Sequence, residues 1–546
     1  ADVVAVTAGG TGAAVGAGVA VNRSEANVNA LVSGGTMDVD DLAVKAANSA
    51  NITTVGVGIG VEGGTGAGVT GSVAVNLLGN DTTAKIDGGA DITADNNVVV
   101  DAQSDEQIAN YAGNASVTGT GAAVGLSVSV NQIDGATNAS IEGSGTQVNA
   151  AGKGEDAELN NTVDDDKILK DFVDSSTFDS QGSLGDKRTG KTYSGVAVSA
   201  SSTHSIKSFL INAGVAAQGA AVNGTVNVNQ TDGSTTAAIK DAAINQNGFA
   251  GDVNVIAHDY SNSAGIVGSA GVAGEGAGIG LGADTNTLSR DVTAEITGTE
   301  NNINGNAVNV EAEAKQGVSS MAIGVGGAGI GAGVANGTTV TLVDGKTIAK
   351  INGSNITAGS LNVTAKHLDR INTNGISIGV GGLGAGIGIG VAVLNENSTT
   401  EATVENTDVT YTNADGETVI DADNTTVMNY QLYNVGGAIA GVAGSVGVAN
   451  VNSKVNANVI GSNFGAAGSE TNKAGSIAVG AANDIDFDQT AGTAGAGAVG
   501  VGVGVSINTI DSQVQAKVEN SQLYANGNID VTAEETRNVD QLAVNA

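Results

Sequence analysis

One block of sequence recurs nine times: a glycine-rich run with Val or Ile at alternate positions that closes on asparagine. It reads GAAVGAGVAVN at Gly12–Asn22, GAGVTGSVAVN at Gly66–Asn76, GAAVGLSVSVN at Gly121–Asn131 and GAAVNGTVNVN at Gly219–Asn229. Further copies close on Asn286, Asn336, Asn395, Asn450 and Asn508. Successive intervals between these asparagines are 54, 55, 98, 57, 50, 59, 55 and 58 residues. A fixed period over a whole chain restricts the fold to a stacked array of one small unit. The single departure, between Asn131 and Asn229, is one period plus an insertion of about 43 residues.

Two more landmarks keep the period. A VxVxA segment occurs at Val98–Ala102, Val196–Ala200, Val253–Ala257 and Val308–Ala312, and a TxAxI segment at Thr83–Ile86 and Thr236–Ile239. All alternate with period two, the strand signature. With a more variable strand before each glycine run, such as Val55–Val61, each repeat is expected to hold about four short strands joined by Gly, Asn and Asp turns. The start, Asp2–Val6, and the finish, Asp540–Val544, are in phase, so the chain is expected to be a segment of a longer array whose strand edges invite end-to-end self-association.

Composition narrows the architecture. The 546 residues include 84 glycines and no proline, cysteine or tryptophan, with seven Tyr and six Phe. Aromatics at 2% rule out a conventional core of large side chains, while 41% hydrophobic residues is too many for a disordered chain. Ala, Val and Ile are left to form a thin core, repeated. A unit of this kind buries its apolar side only by stacking, which points to an all-β, parallel β-helix or β-solenoid. Inward Val and Ile would stack as aliphatic ladders, and Asn at a turn as an amide ladder. The absence of proline agrees, because every strand donates N–H groups to a neighbour. The period admits one wide, flattened coil or two to three smaller coils; a radial propeller of four-stranded blades is the rival architecture. Residues 1–152 and 195–546 read as one array, with 153–194 as an inserted, partly helical arm.

The formal charge of −35, from 56 acidic and 21 basic residues, argues against nucleic acid or anionic lipid as partner. No cysteine means no disulfide and no thiolate metal site; it fits a protein exported unfolded. No signal peptide, lipidation motif or anchor is recognisable, so targeting is expected to lie outside this segment.

Runs such as GAAVGAGVAVNRSEANVNALVSG (Gly12–Gly34) and GAGIGIGVAVLNENSTTEATV (Gly384–Val404) resemble the repetitive passenger regions of Gram-negative proteins exported by type V secretion, above all filamentous adhesins of the leukotoxin type. The resemblance covers nearly the whole chain outside the insertion. It implies a right-handed parallel β-helix, a secreted or outer-membrane-exposed location and a role in virulence, as an adhesin that attaches to a protein or glycan receptor on host cells or surfaces. The alternative it carries is a leukocyte-directed cytotoxin, the only reading with membrane contact. It offers no catalytic motif.

Candidate sites are few. The insertion holds Lys153 and the proposed partner-binding set Lys167, Lys170, Phe172, Phe178, Lys187, Arg188 and Lys191, a mixed-charge patch on an otherwise acidic array. Its segment Asp164–Asp174 places Ile168, Leu169, Phe172 and Val173 on one helical face behind three aspartates. The plainer reading is a tolerated loop packed on the solenoid side. Gly185–Thr192 matches GxxxxGK[ST], but a strand pattern follows where phosphate binding needs a helix. The three histidines, His204, His258 and His367, fall after VxVxA segments and read as solvent-facing corner residues, although stacking could align His204 with His258. The acidic runs at Asp38–Asp41, Asp164–Asp166 and Asp421–Asp423 offer at most weak Ca2+ binding. No catalytic residue, resident metal or cofactor is expected. The uncharged stretch Gly375–Leu394 has the length of a membrane helix, yet it alternates and reads as two strands around Gly381 and Gly382. Val409–Ile420 reads as a protruding hairpin.

Overall fold

A computed structural model describes residues 2–10, 12–169, 184–249, 251–299, 301–469 and 471–546. The chain is a parallel β-solenoid in which one repeat makes one coil. Val98 pairs with Val196, Val196 with Val253, Val253 with Val308 and Val308 with Leu361, each step one repeat along the sequence. The two- and three-coil alternatives and the propeller are thereby excluded. At about 4.8 Å per coil the stack rises roughly 45 Å.

Each coil has two long arms and a short floor. In the coil after the insertion, strand Val196–Lys240 runs outward over 196–217, bends at Gln218 and Gly219, and returns over 220–240; Ala243–Ile244 then closes the floor. Four separate strands were expected, but neighbouring coils keep their ladder through the bend, so each coil reads as nearly unbroken strand. The bend needs glycine twice over. Gly219 has φ +120°, and a Cβ there would sit 2.0 Å from the carbonyl oxygen of Gly121 one coil away.

Parity along the strands divides the cross-section in two. Near the floor, Val and Ile point inward as expected. Ile86, Ile141, Ile239, Ile296 and Ile351 stack in one ladder, Val44, Val100, Val198, Val255 and Val310 in another, and Ile92, Val148, Ile244, Ile303 and Ile356 in the floor ladder. These three lines and the stacked alanines of VxVxA form one continuous hydrocarbon prism. Identical neighbours above and below fill space without large side chains, which is how so few aromatics suffice.

Toward the bend the pattern inverts, and the aliphatic ladders expected inside the glycine runs lie outside. Val15, Val69, Val124, Val222, Ile279, Val334, Ile387, Val442 and Val501 form a nine-rung ladder on the outer face of the return arm. The inner positions are mostly Gly, Ala, Ser, Thr and Asn, with Glu62 and Asp284 as charged exceptions. The cause is close approach: the two arms come together until glycine meets backbone. A Cβ on Gly326 would lie 2.1 Å from the Val334 carbonyl oxygen, and one on Gly379 2.0 Å from that of Ile387. Only the glycine side of a Gly-Val alternation fits this space. The distal half of every coil is therefore a thin two-layer blade, apolar outside and small inside.

One local expectation changes and one holds. Asp408–Tyr411 is a floor strand paired in parallel with Asn355–Ala358, not half of a protruding hairpin, because Tyr411 buries its ring in the prism and shares a hydrogen bond with Thr418 (2.6 Å). Gly375–Leu394 does fold as two strand segments, with the bend between Gly381 and Ala385. Among the described residues no helix is long and apolar enough to cross a membrane.

Candidate interaction surfaces and buried polar spine

The described part of the insertion is an antiparallel hairpin, Ala157–Val163 with Arg188–Tyr193, lying on the outer face of the outbound arm. Leu159 and Tyr193 pack on Val99 and Ala197, and Val163, Ile168 and Leu184 pack on Tyr260. Of the helix expected over Asp164–Asp174, the described residues hold one 3-10 turn, Asp165–Lys167: Asp164 makes no side-chain cap, and Ile168 is extended (φ −77°, ψ 135°). Ile168 and Leu169 gain their burial as extended chain, with the Leu169 N–H donating to Asn262 Oδ1 at 3.2 Å. Lys170, Phe172, Val173 and Phe178 lie outside the described residues.

The other candidate binding residues divide. Arg188 is a docking residue: its guanidinium donates to Asp105 Oδ1 at 2.9 and 3.0 Å and to the Ser201 carbonyl at 3.1 Å, leaving its side chain 5% exposed. Lys191 is exposed, 3.6 Å from Glu311, and Lys167 sits beside Asp166. Lys187 is half-buried. In the GxxxxGK[ST] match, Gly185–Lys187 is a 3-10 turn and Arg188–Tyr193 is strand, so no helix N-terminus faces the loop.

Beside the hairpin is a cleft of about 300 Å3, lined by Asp165, Glu313, Lys315, Lys366, Arg370 and Asp423 among others. Lys315 bridges the hairpin to the solenoid, 2.8 Å from Asp165 and 3.2 Å from Glu313, with its ammonium 5.4 Å from the Tyr260 ring centre. Burial works against its charge, but the two carboxylates outweigh that and hold its pKa above the usual lysine range.

The histidines are buried, contrary to the corner reading, and the register sets His204 against Ser261 and His258 against Ser201, so they do not stack. His204 points into the coil between Glu106 and Asp259, 3.7 Å from each. Asp259 also pairs with fully buried Arg290 at 2.8 Å; burial opposes its charge, but Arg290 and His204 hold its carboxyl well below the usual range. His258 faces outward under the hairpin, with Nδ1 2.7 Å from the Asn161 carbonyl. His367 lies 3.0 Å from Asp369, and Asp369 faces Glu396 across the coil. Burial, then the Asp369 carboxylate, pushes Glu396 well up. Among the described residues no group of three His, Asp or Glu side chains is arranged to hold a metal.

The repeat asparagines form a ladder, inside a strand and not at a turn. Asn22 Nδ2 donates to Asn76 Oδ1 (2.7 Å), Asn76 to Asn131 (2.8 Å), Asn131 to Asn229 (2.9 Å) and Asn229 to Asn286 (2.9 Å). Ser208 and Ser263 cross-link it from the opposite arm, both at 2.8 Å. The next rungs are Thr341, Leu394, Ala449 and Asn508. Asn395 and Asn450 stand one residue past their rungs and Asn336 five residues before Thr341; each offset is odd, so all three fall on outward positions, off the ladder.

Arg290, Asp259 and Asp284 were missed as inward residues, yet strand parity marks two of them: Asp284 and Arg290 lie two before and four after the ladder residue Asn286. Two of the acidic runs are solvated, with Asp38, Asp40, Asp41 and Asp164–Asp166 exposed; in the third, Asp421 and Asp423 are half-buried. The largest feature unclaimed by any motif is the apolar outside of the blade. No family model, curated protein or solved structure matches the chain.

Proposed function

We propose that this segment is a structural shaft of a bacterial surface or secreted filamentous adhesin, with attachment to host cells or other surfaces made through decorations of the shaft. The observation that carries this reading is the parallel register, which continues coil by coil from Asp2 to Asn545 and makes reach proportional to repeat number. The insertion hairpin supports the second part. It is a mixed-charge decoration on a chain of net charge −35, and it presents Lys191 and Thr192 outward. The resemblance of the glycine runs to type V-secreted adhesins points the same way.

A second reading, a segment of a membrane-directed toxin, is favoured by the uncharged outer faces of the blade. The test is binding of the chain to host cells with dye release recorded in the same wells, beside a Lys187→Glu/Lys191→Glu variant that keeps Arg188 docked. Saturable binding without leakage, weakened in the variant, supports an adhesive shaft; binding unchanged by the variant moves attachment elsewhere on the chain. Leakage overturns the shaft reading for the toxin, and neither binding nor leakage overturns the adhesive role.

A further inference from the structure

We infer that the outer face of the return arms is a self-association surface, on which a second copy of this chain packs face to face. Four outward positions per coil form that face. Its outermost ladder is Val or Ile on every rung, and the rows at Val128, Val226 and Val446, and at Val130, Val228 and Val448, are largely Val. None of these outward positions carries a charge. Asp284, the acid within these glycine runs, points inward and is buried.

Large side chains here have no cover within the coil. Leu126 is 52% exposed and Ile389 43%, although both lie in interior coils with neighbours above and below. Nine rungs at about 4.8 Å, and four positions spaced by about 6.6 Å, make a flat patch of roughly 800 Å2. That is more than monomers usually expose and about what one partner contributes to a stable complex.

A second copy is the occupant the face fits. Its ridges repeat at the solenoid's own coil spacing, so another return face matches it rung for rung, as paired sheets do. A two-fold arrangement needs only this one surface. The outbound face is apolar too, but it carries the insertion hairpin. On the return arms the outward charged residues lie toward the floor, beyond the patch, and Glu275 sits at the bend on its far edge, so blades that overlap with their floors pointing apart keep the two acidic bodies separated.

Sedimentation velocity on the 546-residue chain at micromolar concentration tests this. The expected result is a dimer that Leu126→Lys/Leu281→Lys/Ile389→Lys weakens at least about tenfold, since each lysine would be desolvated in the contact. Ile211→Lys, on the outbound face, should leave it unchanged. Circular dichroism controls for folding. Because the chain has no cysteine, a nitroxide on Leu126→Cys gives a second readout, which should lose mobility as concentration rises while one on Ile211→Cys does not. A monomer throughout, or a dimer indifferent to the triple variant, overturns the proposal. So does a monomer that floats with phosphatidylcholine vesicles and loses flotation in the triple variant, which would assign the face to lipid.

Discussion

Gly436 and Gly437 are neighbours on one strand and should respond oppositely to the same change. Gly436 faces the inside of the blade, where a Cβ would lie 2.1 Å from the Val442 carbonyl oxygen and 2.4 Å from its carbon. Both are backbone atoms of the facing arm and cannot rotate away. An ordinary contact needs about 3.4 Å, so the arms must part by more than an ångström and lose the packing of adjacent rungs. Gly436→Ala should cost about 2–4 kcal/mol, the upper range of overpacking because backbone must move. Gly437 points outward and its Cβ meets nothing within 4 Å, at a φ that alanine accepts. Gly437→Ala should be neutral or stabilise by up to about 1 kcal/mol, because it restricts the unfolded chain. Urea unfolding by circular dichroism compares the two, and hydrogen exchange of the amides at 433–445 localises the effect. Equal costs, or a larger cost at Gly437, would mean that the Gly-Val strands face the other way, and the exposed apolar face would not exist.

Three further outcomes follow from buried groups. Asn229→Ala removes the middle rung of the amide ladder, so that Asn131 Nδ2 and Asn286 Oδ1 each lose one buried partner and keep their serine bonds, and should cost about 1–3 kcal/mol in urea unfolding. Arg188→Ala removes the hairpin's ion pair with Asp105 on the solenoid, so limited proteolysis should cut within 184–194 faster while the solenoid's unfolding midpoint stays put. Asp284 is fully buried, and burial raises its pKa to about 6 despite hydrogen bonds from Ser320, Asn227 and Asn286. An acid whose folded pKa lies above its unfolded value stabilises most below that unfolded value, near 4, and loses the contribution as pH rises to the folded pKa. Asp284→Asn should therefore flatten a decline of up to about 3 kcal/mol between roughly pH 4 and 6, measured as urea stability against pH.

The stacking and its period were legible because repetition survives any uncertainty about individual strands. Coil size was not, since period-two alternation has the same form in a wide coil and a narrow one. Which side of each strand faces in was legible near the floor, where Val100 and Ile239 have no glycine alternative. It was misread in the blade, where hydrophobicity alone would put Val222 inside. The missing argument was spatial. Two facing arms both built as Gly-x-Gly come closest with glycine inward, as at Gly326 and Gly333, and then the larger residue must face out. The histidines were misplaced through the same parity: His204 follows Val196, Val198, Ala200 and Ser202 on the inward side. The hairpin of the insertion was hidden by the helical spacing assigned from Asp164 onward, although Ile168 and Leu169 are buried as extended chain.

The waist of the solenoid changes chemistry along its axis, and the change limits where the amide ladder can be extended. From Asn22 to Asn286 each rung offers an amide to the next. After Thr341 the same inward line becomes hydrocarbon, with Leu394 in a buried cluster that includes Met428, Tyr430, Leu432, Val451 and Phe487. Tyr430 fits there because the opposite residue is Gly447, whose Cβ would meet the phenol oxygen at 2.9 Å, and because that oxygen bonds the Ala392 carbonyl and the Val448 N–H. The two regimes should answer one substitution differently. Thr341→Asn adds an amide next to Asn286, opposite the Thr373 hydroxyl that already bonds Thr341 at 3.1 Å, and should change stability by less than about 1 kcal/mol. Leu394→Asn places an amide between Thr341 and Ala449, with hydrocarbon around it. Lost apolar burial and an unpaired amide together should cost about 3–5 kcal/mol. Native-state hydrogen exchange resolves both, because opening should grow at 424–453 in Leu394→Asn and stay near the parent in Thr341→Asn. Similar exchange in the two variants would show that the waist tolerates an amide at any rung, and that the switch from asparagine to hydrocarbon carries no structural constraint.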